Sequence, residues 1–200
     1  MDRIEALNRA WFLHINGGTG TPAWMIHLAS GIADDVIYLI PLLLAGLWLW
    51  GNHARRSLAL KACLVALLGV AANQAIGALW PHPRPFMIGL GHAWMPHVAD
   101  SSFPSDHMTV FGGIGLTLLF DGAASWGAAT LLAGLSVAWA RVFLGVHFPL
   151  DMAGALVVAA IVYAVASPPW RRAGALLTRQ IESLYRRLLA RPIALGWIHG

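Results

Sequence analysis

The sequence predicts an all-α membrane protein, a polytopic bundle of five or six transmembrane helices with additional amphipathic helices at the membrane surface. Of its 200 residues, 58% are hydrophobic and only 11% are charged, whereas soluble domains carry about a quarter charged residues. The apolar residues are gathered into runs, and many of the ten tryptophans lie at the ends of those runs, as in proteins that span lipid. The composition therefore excludes a disordered chain and argues against a soluble enzyme.

Residues 1–33 are predicted to form an N-terminal region of interfacial or re-entrant helices. Residues 3–16 have the apolar spacing of a short amphipathic helix. Residues 22–33 are apolar but too few to cross a bilayer alone. If they do cross, the bundle has six spans rather than five.

Residues 34–168 contain five predicted spans and form the transmembrane core. The first apolar run is short for a crossing, so either the preceding helix contributes to it or the span begins near Asp34. The third and fourth runs are separated by the turn at Asp121-Gly122, and the fifth ends at Pro168-Pro169. The five spans are 36–50, 57–80, 107–120, 124–140 and 149–168.

The basic residues predict which end of the bundle is cytoplasmic. Arg55 and Arg56 lie between the first two spans, and six arginines follow the last span, so the positive-inside rule places both segments in the cytoplasm. The tail, residues 169–200, is predicted to be a basic amphipathic segment that lies on the membrane surface or packs on the bundle. Because the basic residues flank apolar runs, the net charge of +4 indicates no nucleic-acid partner.

Ionisable residues gather at the other end of the bundle, in and beside the loops 81–106 and 141–148. Buried charge at membrane depth is costly, so such a cluster is typical of a functional site. These residues form three clusters along the sequence, and two of the clusters lie where predicted helices begin. Backbone N–H groups and the helix dipole favour an anion at such positions. Arginine contacts phosphate through two hydrogen bonds, so the sequence predicts a phosphoryl site. The clusters are His82-Pro83-Arg84-Pro85, Ser101 to His107, and the set Arg141, His147 and Asp151.

The spacing of the last cluster indicates nucleophilic chemistry. Asp151 lies in the first turn of the fifth span and can reach back to His147. A carboxylate that accepts from one imidazole nitrogen leaves the other unprotonated. His147 can then attack phosphorus, while His107 on a neighbouring helix protonates the leaving oxygen and activates water.

These residues resemble the motifs of the type 2 phosphatidic acid phosphatase superfamily. The chain offers Arg84-Pro85, then Pro104-Ser105-Asp106-His107, then Arg141, His147 and Asp151, in the family's order and spacing. The resemblance implies that His147 is the nucleophile, Asp151 its orienting partner and His107 the acid. It further implies that Arg84, Arg141 and Ser105 hold phosphate, and that neither a metal ion nor another cofactor is needed.

The chain departs from the family's motifs at three positions. Gly77 stands where the first motif has lysine, Asp106 where the second has glycine, and Ala140 where the third has serine. Asp106 is an auxiliary candidate, either as a partner for an arginine or as a participant in catalysis. His82 is the other auxiliary candidate, as a cation in place of the lysine. Asn73 and Gln74 are further candidates for that replacement, as hydrogen-bond donors, whereas His92 and His97 are expected to be loop structure.

The sequence around the motifs is similar to the bacterial undecaprenyl pyrophosphate phosphatase branch of the superfamily. The similar segments are His-Pro-Arg-Pro-Phe and Asp-Ser-Ser-Phe-Pro, together with the aspartate of the second motif. This resemblance implies that the chain converts undecaprenyl pyrophosphate to undecaprenyl phosphate in the bacterial inner membrane. The active site would face the periplasm, and the reaction would recycle the lipid carrier of cell-wall synthesis.

Other functions remain open at this point. The substrate can be another lipid phosphate, namely phosphatidylglycerophosphate, phosphatidate or lipid A. A metal-dependent hydrolase that uses the loop histidines lacks a familiar ligand motif. A transporter or binding protein would be expected to place polar residues at the midplane of the membrane. The sequence leaves the oligomeric state undefined.

Overall fold

The structure, a computed structural model, describes residues 2–200, except for the side chain of Asp2. Eight α-helices and two short 3-10 turns make up its regular structure, and none of residues 2–200 lies in a β-strand. The helices are α1 (Asp2–Ile15), α2 (Ala23–Asp35), α3 (Leu39–Leu49), α4 (His53–Leu79), α5 (Asp106–Phe120), α6 (Ala124–Phe143), α7 (Pro149–Leu188) and α8 (Ala190–Ala194).

The helix lengths confirm the predicted membrane bundle. Four helical segments are long and apolar enough to span a bilayer: α2 together with α3, and then α4, α6 and α7. Helix α5 is equally apolar in character but has 15 residues, a length of about 22 Å. It packs against α4, α6 and α7 at the centre of the bundle, so neighbouring helices rather than lipid cover most of its surface.

The first crossing is longer at its N-terminal end than the apolar run alone predicts. Helix α2 continues through the 3-10 turn Val36–Tyr38 into α3 without an intervening loop. Together the two helices form a single candidate span of 27 residues. The preceding helix therefore contributes to the first candidate span, and residues 22–33 do not form a separate sixth one.

The last helix runs well past the predicted end of the fifth span. Helix α7 contains Pro168 and Pro169 in its interior and continues to Leu188. Proline in a helix removes a backbone hydrogen bond and commonly breaks the helix. Just before the pair, Ser167 Oγ donates to the carbonyl of Tyr163 at 2.6 Å and accepts a hydrogen bond from Lys61 of α4. These contacts tie α7 to its neighbour where the prolines weaken it.

The first part of the predicted tail thus packs on the bundle as an extension of α7. The buried guanidinium of Arg56 lies 3.5 Å from the carboxylate of Glu182 and stacks over the ring of Tyr185. Leu184 and Leu188 face away from these contacts and remain exposed.

The end of the bundle opposite Arg56 brings the sequence motifs together. Helices α4 and α6 end there, and α5 and α7 begin there. Helix α1 lies across this end, where the side chain of Asn8 accepts a hydrogen bond from the backbone N–H of Leu150 and the ring of Phe12 packs on Phe148. The site is therefore built on helix ends, and α1 packs beside it against the start of α7.

We predict that Gly134 of α6 is required for close packing against α5. A β-carbon at this position would lie 2.6 Å from Cβ of Phe111, which the backbone of α5 holds in place. Gly134→Ala should therefore lower the free energy of unfolding by about 1–3 kcal/mol. Gly46→Ala in α3 is the matched control, because no atom lies within 4 Å of its added β-carbon. Thermal unfolding in detergent measures both variants, and equal midpoints would contradict the packing argument.

Candidate active site

A cavity of about 370 Å³ opens at the motif end of the bundle. The ends of α4 and α6, the start of α5 and the two loops all contribute to its wall. Its polar lining includes Asn73, Gln74, Arg84, His97, Asp100, Asp106, His107, Arg141 and His147. The structure therefore brings five of the eight predicted site residues, together with two of the proposed lysine substitutes, around one space.

The side chain of His147 is fixed by the buried carboxylate of Asp151. The Nδ1 atom of His147 lies 3.2 Å from Oδ2 of Asp151. The same oxygen accepts hydrogen bonds from the backbone N–H of Phe148 at 2.7 Å and from the hydroxyl of Ser102. Asp151 stands behind His147 rather than in the wall of the cavity, as the predicted orienting role requires.

The hydrogen-bond partners of His147 define its tautomer. Nδ1 faces a carboxylate that already accepts two other hydrogen bonds, so Nδ1 carries the proton. Nη1 of Arg84 lies 3.0 Å from Nε2 and 3.4 Å from Nδ1, so it stands over the ring and not in line with the lone pair of either nitrogen. In a neutral imidazole with its proton on Nδ1, the lone pair is on Nε2. The arrangement leaves a neutral imidazole with its unprotonated nitrogen on the cavity side.

The surroundings of His147 favour this neutral form over the cation. Burial lowers the pKa of His147 to about 4 in spite of the hydrogen bond and charge of Asp151, which raise it. The positive charges of Arg84 and Arg141 lower the pKa further. His147 is therefore neutral near pH 7, which is the form that can act as a nucleophile.

The guanidinium of Arg84 donates several hydrogen bonds and forms an ion pair with Asp100. Its Nε donates to Asp100 at 2.7 Å, and Nη1 donates to the carbonyl of Val146 at 2.9 Å. Burial raises the pKa of Asp100, but the hydrogen bond and charge of Arg84 outweigh burial and hold that pKa below its usual value. Asp100 is thus ionised as the counter-charge of Arg84.

Arg141 lies on the other side of the cavity and has only neutral partners. Its Nη2 lies 3.0 Å from Nε2 of His97, and its Nη1 lies 3.4 Å from Nε2 of His107 and 3.4 Å from the carbonyl of Ala33. Among residues 2–200, no carboxylate forms an ion pair with it. The charges of Asp34 and Asp106 act on this guanidinium without contact, so it keeps hydrogen-bond donors for an anion.

Four buried polar atoms near this end of the bundle lack protein partners within the described part of the chain. They are the hydroxyl of Ser105, Nε of Arg141, Oδ1 of Asn73 and Nδ1 of His82. Ser105 is fully buried and does not line the cavity. Unsatisfied buried polar groups are rare in proteins and costly. The first two atoms belong to residues that the sequence assigns to phosphate.

Asp106 is held by amides instead of by a cation. Nδ2 of Asn73 and Nε2 of Gln74 donate to its two carboxylate oxygens at 2.9 and 3.0 Å. Both amides line the cavity, with Asn73 buried and Gln74 exposed, and both are directed at Asp106. Of the two predicted alternatives for Asp106, partnership with an arginine is not what this geometry shows.

Gly77, which stands in the place of the motif lysine, lies against the loop that carries Ser101. A β-carbon on Gly77 would lie 3.1 Å from Cβ of Ser101. This close approach leaves no room for a long side chain without displacement of the loop. The missing cation is therefore accompanied by closer packing between α4 and the loop.

The structure does not bring His82 into the cavity. Its ring packs edge-on against Phe148, and its Nε2 lies 3.8 Å from the carboxylate of Glu5 in α1. His82 lines a separate space on the far side of Phe148. His97, expected to be loop structure, instead lines the cavity and contacts Arg141, whereas His92 stacks near Trp94 outside it.

Sequence reasoning placed Ser102 in a candidate cluster without a role of its own, and it gave no role to Asp100 or His97. Asp100 lies four residues before the second motif, so its proximity was a usable signal. His97 is further away, in an irregular loop, and its contact with Arg141 depends on how that loop folds. In the described part of the chain, no three His, Cys, Asp or Glu side chains are grouped as metal ligands would be.

Comparison with known proteins identifies relatives over the whole chain. The model of the family described as "PAP2 superfamily" matches residues 58–173. The chain is 39% identical to "Putative undecaprenyl-diphosphatase YbjG" of Escherichia coli K12 over 98% of both chains. It is 36% identical to "Undecaprenyl-diphosphatase BcrC" of Bacillus subtilis over 66% of this chain and 67% of that protein.

Two solved structures share the fold. The crystal structure of Aquifex aeolicus LpxE matches with a TM-score of 0.65 and 21% identity, covering 81% of this chain and 95% of that one. A PAP2-type phosphatidylglycerolphosphate phosphatase from Bacillus subtilis matches with a TM-score of 0.62 and 17% identity, covering 86% and 88%. Both matches support the helical architecture.

We predict that His147 titrates far below an ordinary histidine. Its pKa should lie near 4, so the ring stays neutral as the pH falls from 7 and becomes protonated only around that value. Asp151→Asn should move the pKa still lower, because the lost charge and hydrogen bond both favour the cation. Histidine-selective ¹³C NMR in detergent measures the titration, and His147→Ala assigns the signal. A midpoint near 6.5 would contradict the described environment.

Proposed function

The chain belongs to the PAP2 superfamily, and from this premise we propose that it is a membrane lipid phosphatase that hydrolyses undecaprenyl diphosphate. The products are undecaprenyl phosphate and inorganic phosphate. The names of the relatives support this substrate, since two of them are undecaprenyl-diphosphatases by name. The substrate's chemistry also fits a site at one end of a membrane bundle, where a lipid tail stays in the bilayer and a diphosphate reaches the surface.

One observation carries the phosphatase chemistry. Two donors without partners, the hydroxyl of Ser105 and Nε of Arg141, accompany a cavity in which His147 exposes a lone pair. A phosphoryl group offers oxygens to such donors and phosphorus to the lone pair. We therefore assign phosphate binding to Arg84, Arg141 and Ser105.

The first step is the transfer of the terminal phosphoryl group to His147. A bond forms between Nε2 and phosphorus while the bond from phosphorus to the bridging oxygen breaks. His107 is neutral beside Arg141 in this structure, so it takes up a proton from water when the diphosphate anion binds next to it. The departing undecaprenyl phosphate then takes this proton from the His107 imidazolium. Asp151 stabilises the imidazolium character that develops on His147, and the arginines stabilise the equatorial oxygens.

The second step is hydrolysis of the phosphohistidine. Water attacks phosphorus, gives a proton to His107 and releases inorganic phosphate. His147 returns to its neutral form, and His107 regains the proton it donated. Every proton and phosphoryl transfer in this cycle uses a group of the chain or water.

We further propose that the site faces the periplasm of the bacterial inner membrane. The arginines at positions 55 and 56 and those that follow Pro169 all lie toward the end of the bundle opposite the cavity. The positive-inside rule places that end in the cytoplasm. The reaction then regenerates the lipid carrier of cell-wall synthesis on the outer leaflet.

We predict that His147→Ala abolishes phosphate release without unfolding the protein. Purified protein in detergent, assayed with undecaprenyl diphosphate in the presence of a chelator, should lose activity by about 10⁴-fold or more, since the nucleophile is removed. His27→Ala is the matched control, because His27 is exposed on α2 and lies outside the cavity wall. Retained activity in His147→Ala would overturn the mechanism.

The same assay separates the alternative functions. Phosphatidylglycerophosphate, phosphatidate and lipid A run in parallel, and a higher kcat/KM for one of them would replace the proposed substrate while keeping the mechanism. Loss of activity with chelator would favour a metal-dependent hydrolase. Absence of turnover with every lipid would favour a binding or transport protein.

A further inference from the structure

The two arginines of the cavity differ in how their charge is compensated. Arg84 forms an ion pair with Asp100, so much of its charge is cancelled before any ligand arrives. Arg141 contacts His97, His107 and one backbone carbonyl, and no carboxylate of residues 2–200 forms an ion pair with it. Asp34 and Asp106 act on its charge only at a distance, so its guanidinium is the one of the two that has no carboxylate in contact.

His97 makes the shortest hydrogen bond to this guanidinium. The distance from Nη2 of Arg141 to Nε2 of His97 is 3.0 Å, whereas the other two contacts of Arg141 are 3.4 Å long. Hydrogen bonds weaken as the donor–acceptor distance exceeds about 3.2 Å. His97 thus holds the guanidinium more firmly than its other partners do.

The hydrogen-bond partners of His97 allow only the neutral ring with its proton on Nδ1. Nδ1 faces the carbonyl of Val98 at 3.1 Å and must donate, and Nε2 faces a guanidinium and must accept. The ring is therefore neutral, with its proton on Nδ1. Burial lowers the pKa of His97, and the charges of Arg84 and Arg141 lower it further, in spite of the hydrogen bond to Val98.

From this geometry we propose that His97 is a positioning residue for phosphate binding, a neutral acceptor that orients Arg141 over the cavity without cancelling its charge. An acid at this position would hold the guanidinium more tightly but would neutralise it. It would also place a negative charge beside the phosphate. A histidine in its neutral form provides the hydrogen bond alone.

This inference deepens the proposed function and rests on it. In a site that lacks the motif lysine and contains Asp106, the net positive charge available to a diphosphate is small, so preservation of the charge on Arg141 has a direct effect on substrate affinity. His97 acts through Arg141, so its loss should affect binding of phosphate more than the chemical step.

The test is a series of three substitutions at position 97. His97→Ala removes the acceptor, and KM for undecaprenyl diphosphate should rise by about tenfold while kcat changes by less than about threefold. His97→Gln keeps a neutral acceptor and should restore KM to within about threefold of the unaltered protein. His97→Glu keeps an acceptor but adds charge, and KM should rise by about tenfold or more. The inhibition constant of orthovanadate, a phosphate analogue without a lipid tail, should follow the same order.

The matched control is His92→Ala together with His92→Glu. His92 lies on the same loop, but its ring is outside the cavity and does not contact Arg141. Both variants should leave KM and the orthovanadate inhibition constant unchanged. Thermal unfolding of every variant shows whether the loop has kept its fold.

The outcomes separate this inference from the proposed function. If His97→Gln and His97→Ala are equally impaired, or if His97→Glu binds orthovanadate as well as His97→Gln, the positioning role is wrong. An effect on kcat alone would also overturn it. The proposed function fails instead if His147→Ala retains turnover, whatever the variants at position 97 do.

Discussion

The carboxylate of Asp151 is the interaction on which the rest of the site depends. One of its oxygens accepts from the imidazole of His147, the hydroxyl of Ser102 and the backbone N–H of Phe148. These donors come from the long loop between α4 and α5 and from the connection between α6 and α7. A single buried charge therefore starts helix α7, anchors the loop and selects the tautomer of the proposed nucleophile. The backbone and the chemistry are positioned by the same group.

The second constraint is the number of charges that an apolar bundle can hold. Each buried ion at the end of the bundle opposite the cavity has a partner of opposite charge, as in the pair of Lys61 with Asp121 and that of Arg56 with Glu182. At the cavity end Arg84 has Asp100, but Arg141 has neutral partners and Asp106 has amides. The ionisable side chains of the cavity wall thus include two that have no ionic partner in contact. This distribution distinguishes an anion site from structural ion pairs, because a buried charge with a structural role forms an ion pair within the protein.

The sequence predicted the spans, the end of the bundle that holds the site and the contact between His147 and Asp151. These features follow from local rules, namely apolar run length, helix-start chemistry and motif spacing. The positions of His82 and His97 depend on the path of the loop between α4 and α5. This loop has no regular spacing of apolar residues from which its path could be predicted. His82 is two residues from Arg84 yet points to the far side of Phe148. The continuation of α7 past Pro168 could not be predicted from the sequence either, because two prolines locally favour the end of a helix and packing against α4 outweighs this preference.

The position of Arg84 over the ring of His147 has a consequence for the reactivity of that imidazole. Nη1 lies 3.0 Å from Nε2 and 3.4 Å from Nδ1 of the same ring, so the guanidinium stands over the ring face and leaves the in-plane lone pair free. Its positive charge opposes protonation of the imidazole without competing for the electron pair. One guanidinium can therefore keep the proposed nucleophile deprotonated and also attract the anion that the nucleophile attacks.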